Sequence, residues 1–241
     1  MQTVATNIAG AGAAAVLFAA TFLFSRRLRP LLSRFFSQRS LISFGAGTSV
    51  AYVFVQLMPE MQESRSAFVK ATSIPLPYEG MAVYFLALMG FMGFYGLDNL
   101  RTQARDGGND FSLHLAGFGL YVALMSYLLV HGLELPSAPL GFAAAATAFH
   151  FMTVDHLLRE EHGAVYDRIG RYVLAGMSLL GWAAGLAFEL SAQLLALLTA
   201  FVSGAVIMNS TLMELPSDKN GRFLPFLAGG ALYGLVLVTF G

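Results

Sequence analysis

A chain of 241 residues that is 56% apolar and only 12% charged lacks the make-up of an ordinary soluble domain, which carries roughly 25% charge. The absence of cysteine excludes thiolate metal sites, and the small polar remainder, with zero formal net charge, argues against nucleic acid as a partner. What remains is a membrane protein, because a hydrocarbon core about 30 Å thick is crossed by about 20 apolar residues as helix.

Eight apolar stretches meet that description, so the expected fold is all-α and polytopic, one transmembrane domain over residues 1–241. The first, Ile8–Phe24, has no positive charge before it and an arginine cluster after it. That is the reverse of a cleaved signal and reads as an anchored helix with its N-terminus outside. The second, Leu41–Met58, carries Gln56 just before Pro59-Glu60, and an outer loop of about Pro59–Gly80 leads to the third, Met81–Gly96. A polar inner loop, Leu97–Asp110, precedes the fourth, Phe111–Leu133, which holds His114 near its inner end and Ser126, Tyr127 and His131 toward its outer end. The fifth, Leu140–Leu158, is the most polar, with His150, Thr153, Asp155 and His156. Tyr172–Leu190 and Leu194–Met213 follow, the latter with Asn209, Ser210 and Thr211 and with Glu214 at its end. Phe223–Phe240 closes the chain.

Ionisable side chains in lipid are costly and face a bundle interior or a water cavity, so these few groups are the candidates for function. Each also has a plainer reading. His114 suits the inner interface. Asp155 with Arg159 and His156 with Glu160 have the i, i+4 spacing of helix ion pairs. His162 falls in the expected inner loop, where it would be solvated, and Glu214 suits an interface. His150 would satisfy itself by a hydrogen bond to another helix. On one helix His150 stands about 140° from Asp155 and about 120° from His156, so a metal site needs help from helix 4, through His131 or Tyr127, or from helix 7, through Asn209 or Glu214.

Positive charge alternates along the chain. All lysines and arginines but Arg65 and Lys70 follow odd-numbered helices, which places those loops in the cytoplasm and both termini outside. The segments also repeat. Phe44-Gly45-Ala46-Gly47 leads to Pro59, and Phe201-Val202-Ser203-Gly204 leads to Pro216, with a constant offset of 157 residues (204 − 47 and 216 − 59). Helices 2 and 7 run in opposite directions, so helices 1–3 (about 8–96) and 6–8 (about 172–240) form an inverted repeat around a central pair (about 111–158). This 3+2+3 build points to a transporter with its site near the midplane.

The layout and two motifs resemble the ZIP family of divalent-metal transporters. Ser43-Phe44-Gly45-Ala46-Gly47 through Leu57-Met58-Pro59-Glu60 is similar to that family's second helix, and Ser203-Gly204 through Met213-Glu214-Leu215-Pro216 to its seventh. The family's metal motifs are thinner here. Its fourth-helix pattern, His-Asn-x-x-acid-Gly, meets Tyr127, Leu128 and His131 before Gly132, or His114, Leu115 and Phe118 before Gly119. Its fifth-helix pattern, His-Glu-x-Pro-His-Glu, keeps only His150 and Asp155. In helix 7 the acid lies one residue late, at Glu214 in place of Met213.

The resemblance implies a permease for a divalent cation of the zinc, iron or manganese class, with no resident cofactor and the metal as cargo. The expected metal ligands are His150, His131, Asp155 and Glu214, and the expected pathway adds Gln56, Tyr127, His156 and Asn209. The lipid bilayer and a divalent metal ion are the expected partners, with a homodimer left open, in a plasma membrane or a bacterial inner membrane. Two alternatives stay open: a ZIP-like protein that no longer transports, and, ranked lowest, an intramembrane metal-dependent hydrolase.

Overall fold

The computed structural model describes residues 2–32, 37–72, 79–103, 109–131, 140–213 and 222–240. These residues are helical almost throughout and include no strand. Helix α1 spans Gln2–Leu32. Helix α2, Gln38–Ala51, runs through a π turn, Tyr52–Leu57, into α3, Met58–Ala71. Helices α4, Glu79–Gln103, and α5, Asn109–His131, follow. Helix α6, Leu140–Val165, joins α7, Arg171–Ala187, through a π turn at Tyr166–Gly170. Helix α8, Ala192–Met208, ends in a π turn, Asn209–Met213, and α9 spans Phe223–Phe240.

Local chemistry explains the starts and bends. Ser37 accepts a hydrogen bond from the Ser40 amide at the head of α2, and Ser191 does the same for Leu194 at the head of α8. Pro59 has no amide hydrogen to return to the carbonyl of Val55, and its ring crowds that carbonyl. The helix widens there instead of stopping, and the Met58 amide reaches back to the carbonyl of Val53. The expected outer loop is therefore helical as far as Ala71, a correction made by the proline's place in the first turn of α3. The expected inner loop after Leu158 is helical as well. Helical geometry fails at Gly163, whose φ of 53° and ψ of −123° turn the chain where a side chain would be strained.

Among the described residues, six stretches are long and apolar enough to cross a membrane: Ala9–Arg27, Arg39–Ala71, Gly80–Asn99, Phe111–His131, Ala144–Ala187 and Ala192–Thr211. The shorter apolar helix Phe223–Thr239 adds to them. The surface is apolar and part of the interior is polar. Met81, Phe85, Leu88 and Met92 of α4, and Phe223, Leu224, Leu235 and Val238 of α9, face outward. Thr48, Ser49, His114, Ser126, His150, Asp155, Ser203, Asn209 and Ser210 are buried. Water would reverse that arrangement; lipid favours it. The chain is a multi-pass membrane protein.

The helices form two rows. In one, α4 packs along α8, α8 meets α3 and the π turn that follows α2, the π turn that follows α8 meets α2, and α2 packs along α9. In the other, α5 packs along α7, α7 along α1, and α1 along α6. Packing within each row is far more extensive than between rows, where α2 meets α6 and α5 meets α4 and α8. Four glycines set the closest approaches in the first row. A Cβ on Gly47 would overlap the carbonyl of Phe226, and one on Gly229 the carbonyl of Phe44. A Cβ on Gly204 would overlap the carbonyl of Ala87, and one on Gly90 the carbonyl of Phe201. The α2–α9 contacts correspond to the α8–α4 contacts residue for residue, with offsets of 157 (Phe44 to Phe201, Gly47 to Gly204) and 139 (Ala87 to Phe226, Gly90 to Gly229). The π turns obey the first offset too, since Tyr52 and Asn209 open them.

Candidate functional site

Helix α6 positions most of the ionisable groups inside the bundle. Asp155 is fully buried, and its carboxylate is saturated. Arg159 donates to both oxygens, at 2.7 Å to Oδ2 and 3.0 Å to Oδ1. The Ser25 hydroxyl of α1 donates to Oδ2 at 2.5 Å, and the Tyr166 hydroxyl to Oδ1 at 2.7 Å. Two oxygens offer about four lone-pair directions, and these four donors fill them. Arg159 also donates through Nε to Asp167 at 2.9 Å, and the Arg159 guanidinium lies over the Tyr166 ring. The Asp155–Arg159 pair is thus the i, i+4 ion pair that the spacing allowed. The expected use of Asp155 as a metal ligand is not compatible with this saturation.

One turn earlier, His150 Nε2 lies 2.7 Å from the Tyr121 hydroxyl of α5, with Phe151 against both rings. This is the cross-helix hydrogen bond expected of a structural histidine. His131, at the far end of α5, stacks on Tyr127 with ring centroids 4.7 Å apart, and the Tyr127 hydroxyl donates to the Phe188 carbonyl at 3.0 Å. His156 pairs with Glu160 at 3.3 Å. Gln56, in the first π turn, donates to Glu60 at 2.9 Å and accepts from the Tyr233 hydroxyl of α9 at 3.2 Å. Glu214 lies outside the described residues. His131, His150 and Asp155 thus occupy three separate environments.

The second π turn is different. Asn209 and Ser210 are buried there, and neither the Asn209 amide nor the Ser210 hydroxyl has a hydrogen-bond partner among the described residues. The hydroxyls of Ser203 about two turns back, Ser49 on α2 and Ser126 on α5 are likewise buried without a hydrogen-bond partner among the described residues. Buried polar groups are nearly always satisfied, so unpaired ones gathered on a π turn mark a place where water or a polar ligand belongs.

Among the described residues, the ligand atoms of three histidine, aspartate or glutamate side chains come within 4.8 Å of one another in only one group: His114 of α5 with Glu161 and His162 of α6. His114 Nδ1 lies 3.1 Å from His162 Nε2 and 3.5 Å from Glu161 Oε2, and His162 Nε2 lies 3.9 Å from Glu161 Oε2. The sequence reading missed this cluster, because it ended helix 5 at Leu158 and placed His162 in solvent. Gly163, the residue that does end regular helix there, was the available signal.

No protein-family model, curated protein or solved structure matches the chain. The site therefore has to be read from its own chemistry.

Proposed function

We propose that the chain is a membrane permease of ZIP-like build, two inverted halves around a central pair, and that it carries a divalent metal cation. The observation that carries this reading is the residue-for-residue correspondence of the α2–α9 and α8–α4 contacts, with a π turn at the matching place in α2 and α8. Chance recurrence of small residues in apolar helices gives no reason for matched contacts as well as matched letters. Eight crossings follow if the Ala144–Ala187 stretch counts as two helices divided at Gly163 and α9 as a short span. The loop charges then orient both termini outside a plasma membrane.

Within that frame, the sparse packing between the two helix rows is where one bundle can move against the other. Asn209 and Ser210, on a widened turn that packs against α2, are better placed to meet a moving ion than the saturated Asp155. The assignment of metal as cargo rests on the ZIP resemblance of the second and seventh helices.

Uptake of zinc, iron(II) and manganese(II) into liposomes containing the purified chain tests the reading. Accumulation above empty liposomes, lowered by Asn209→Leu, is expected. No accumulation of any of the three ions removes it and leaves the non-transporting alternative, which the tying of His150 to Tyr121 and of Asp155 to Arg159 favours.

A further inference from the structure

We infer that His114, Glu161 and His162 form a binding site for a divalent cation that prefers imidazole, of the Zn2+ class. The site stands on its own geometry and does not require that the chain transport anything.

Three lines of structure support it. The first is distance. Ligands held about 2.0–2.1 Å from a tetrahedral zinc ion stand about 3.3 Å from one another. Two of the three separations here, 3.1 Å and 3.5 Å, lie close to that value. The third, 3.9 Å, is longer. The second is donor chemistry. Two imidazoles and one carboxylate suit Zn2+, Ni2+, Co2+ or Fe2+, whereas Mg2+ and Ca2+ take oxygen ligands throughout. Three protein ligands also leave a fourth position open to water.

The third line is setting. The side chains of His114, Glu161 and His162 are 2%, 17% and 13% exposed. Phe118 flanks the His114 ring at 5.1 Å, and Phe111 flanks the His162 ring at 5.1 Å. A dry wall of this kind strengthens the attraction between a cation and a carboxylate. The ligands also come from two helices, His114 from the second turn of α5 and the other two from the end of α6, directly before the Gly163 break. A bound ion would fasten the start of α5 to the point where α6 gives way to α7.

The test uses the full chain in detergent micelles, stripped of metal with a chelator and titrated with Co2+. Tetrahedral Co2+ absorbs strongly in the visible, whereas six-coordinate Co2+ absorbs weakly. One strongly absorbing equivalent per chain is expected. Zn2+ should displace it and millimolar Mg2+ should not. His162→Ala should abolish the band, and Glu161→Gln, which keeps size and shape, should weaken binding by about tenfold or more. Absence of the band from the wild-type chain, or an unchanged band in a folded Glu161→Gln variant, would overturn the site in favour of a metal-free hydrogen-bonded cluster. Liposome uptake plays no part in this readout, so loss of the permease reading leaves the site intact, and loss of the site leaves the permease reading intact.

Discussion

Two polar clusters lie about two turns apart on α6 and are built in opposite ways. Around Asp155, one buried carboxylate meets a guanidinium and two hydroxyls, and all of its acceptor capacity is used. Around His114, two imidazoles and a carboxylate bring one ligand atom each within 4.8 Å of the others. The first is a brace. It ties α1 to α6 and to the turn before α7, and its charges cancel inside the bundle. The second holds two imidazoles and a carboxylate within ligand distance of one another, which is what a cation can exploit. A buried acid inside a membrane helix is therefore not in itself a ligand; its neighbours decide.

The largest expected effect separates the two clusters directly. Asp155→Ala leaves Arg159 buried without its main counter-charge and should cost about 3–5 kcal/mol of stability. Thermal unfolding in detergent measures this, and an unchanged melting temperature would mean that the brace is not one. Cobalt binding by the variant that remains folded should be retained. Next, excess Zn2+ should protect the wild-type chain by about 2.7 kcal/mol when its concentration is 100 times the dissociation constant. The same addition should leave His162→Ala unprotected, and equal protection of both would place the bound ion elsewhere.

The row contacts supply a matched pair of tests. Gly47→Ala and Gly204→Ala each force a methyl group against a neighbouring carbonyl and should each cost about 1–3 kcal/mol. Similar losses are expected because the two contacts correspond; a large loss at one and none at the other would break the symmetry. The smallest effect belongs to Tyr121→Phe, which removes one hydrogen bond to His150 and should cost about 0.5–1.5 kcal/mol. A loss of metal binding in that variant would mean that His150 does belong to a metal site after all.

Much of the fold was legible in the sequence. Phe223–Phe240 appears as a helix with the bounds its apolar run implied, and the 157-residue offset of the glycine motifs reappears as matched contacts of Gly47 and Gly204. The i, i+4 spacing of Asp155 with Arg159 became an ion pair, and that of His156 with Glu160 a side-chain contact at 3.3 Å. Helix ends were less legible. Polar letters after Met58 and after Leu158 looked like loops, yet α3 and the end of α6 are helical. Polarity there reflects pairing and exposure rather than chain reversal, and Pro59 bends the path without ending it. The candidate ligands were the least legible, because His114 and His162 are 48 residues apart and meet only through the packing of α5 on the end of α6.

The sequence alone determined that this protein lives in a membrane, where along the chain its apolar segments lie, and which glycine motifs recur, because hydropathy and side-chain size are properties of the letters themselves. Only the tertiary structure decided which buried groups are spent and which converge. An aspartate is neutralised or left reactive by the donors that neighbouring helices bring to it. Two histidines become a possible cage only when their nitrogens come within about 3–4 Å of a shared carboxylate.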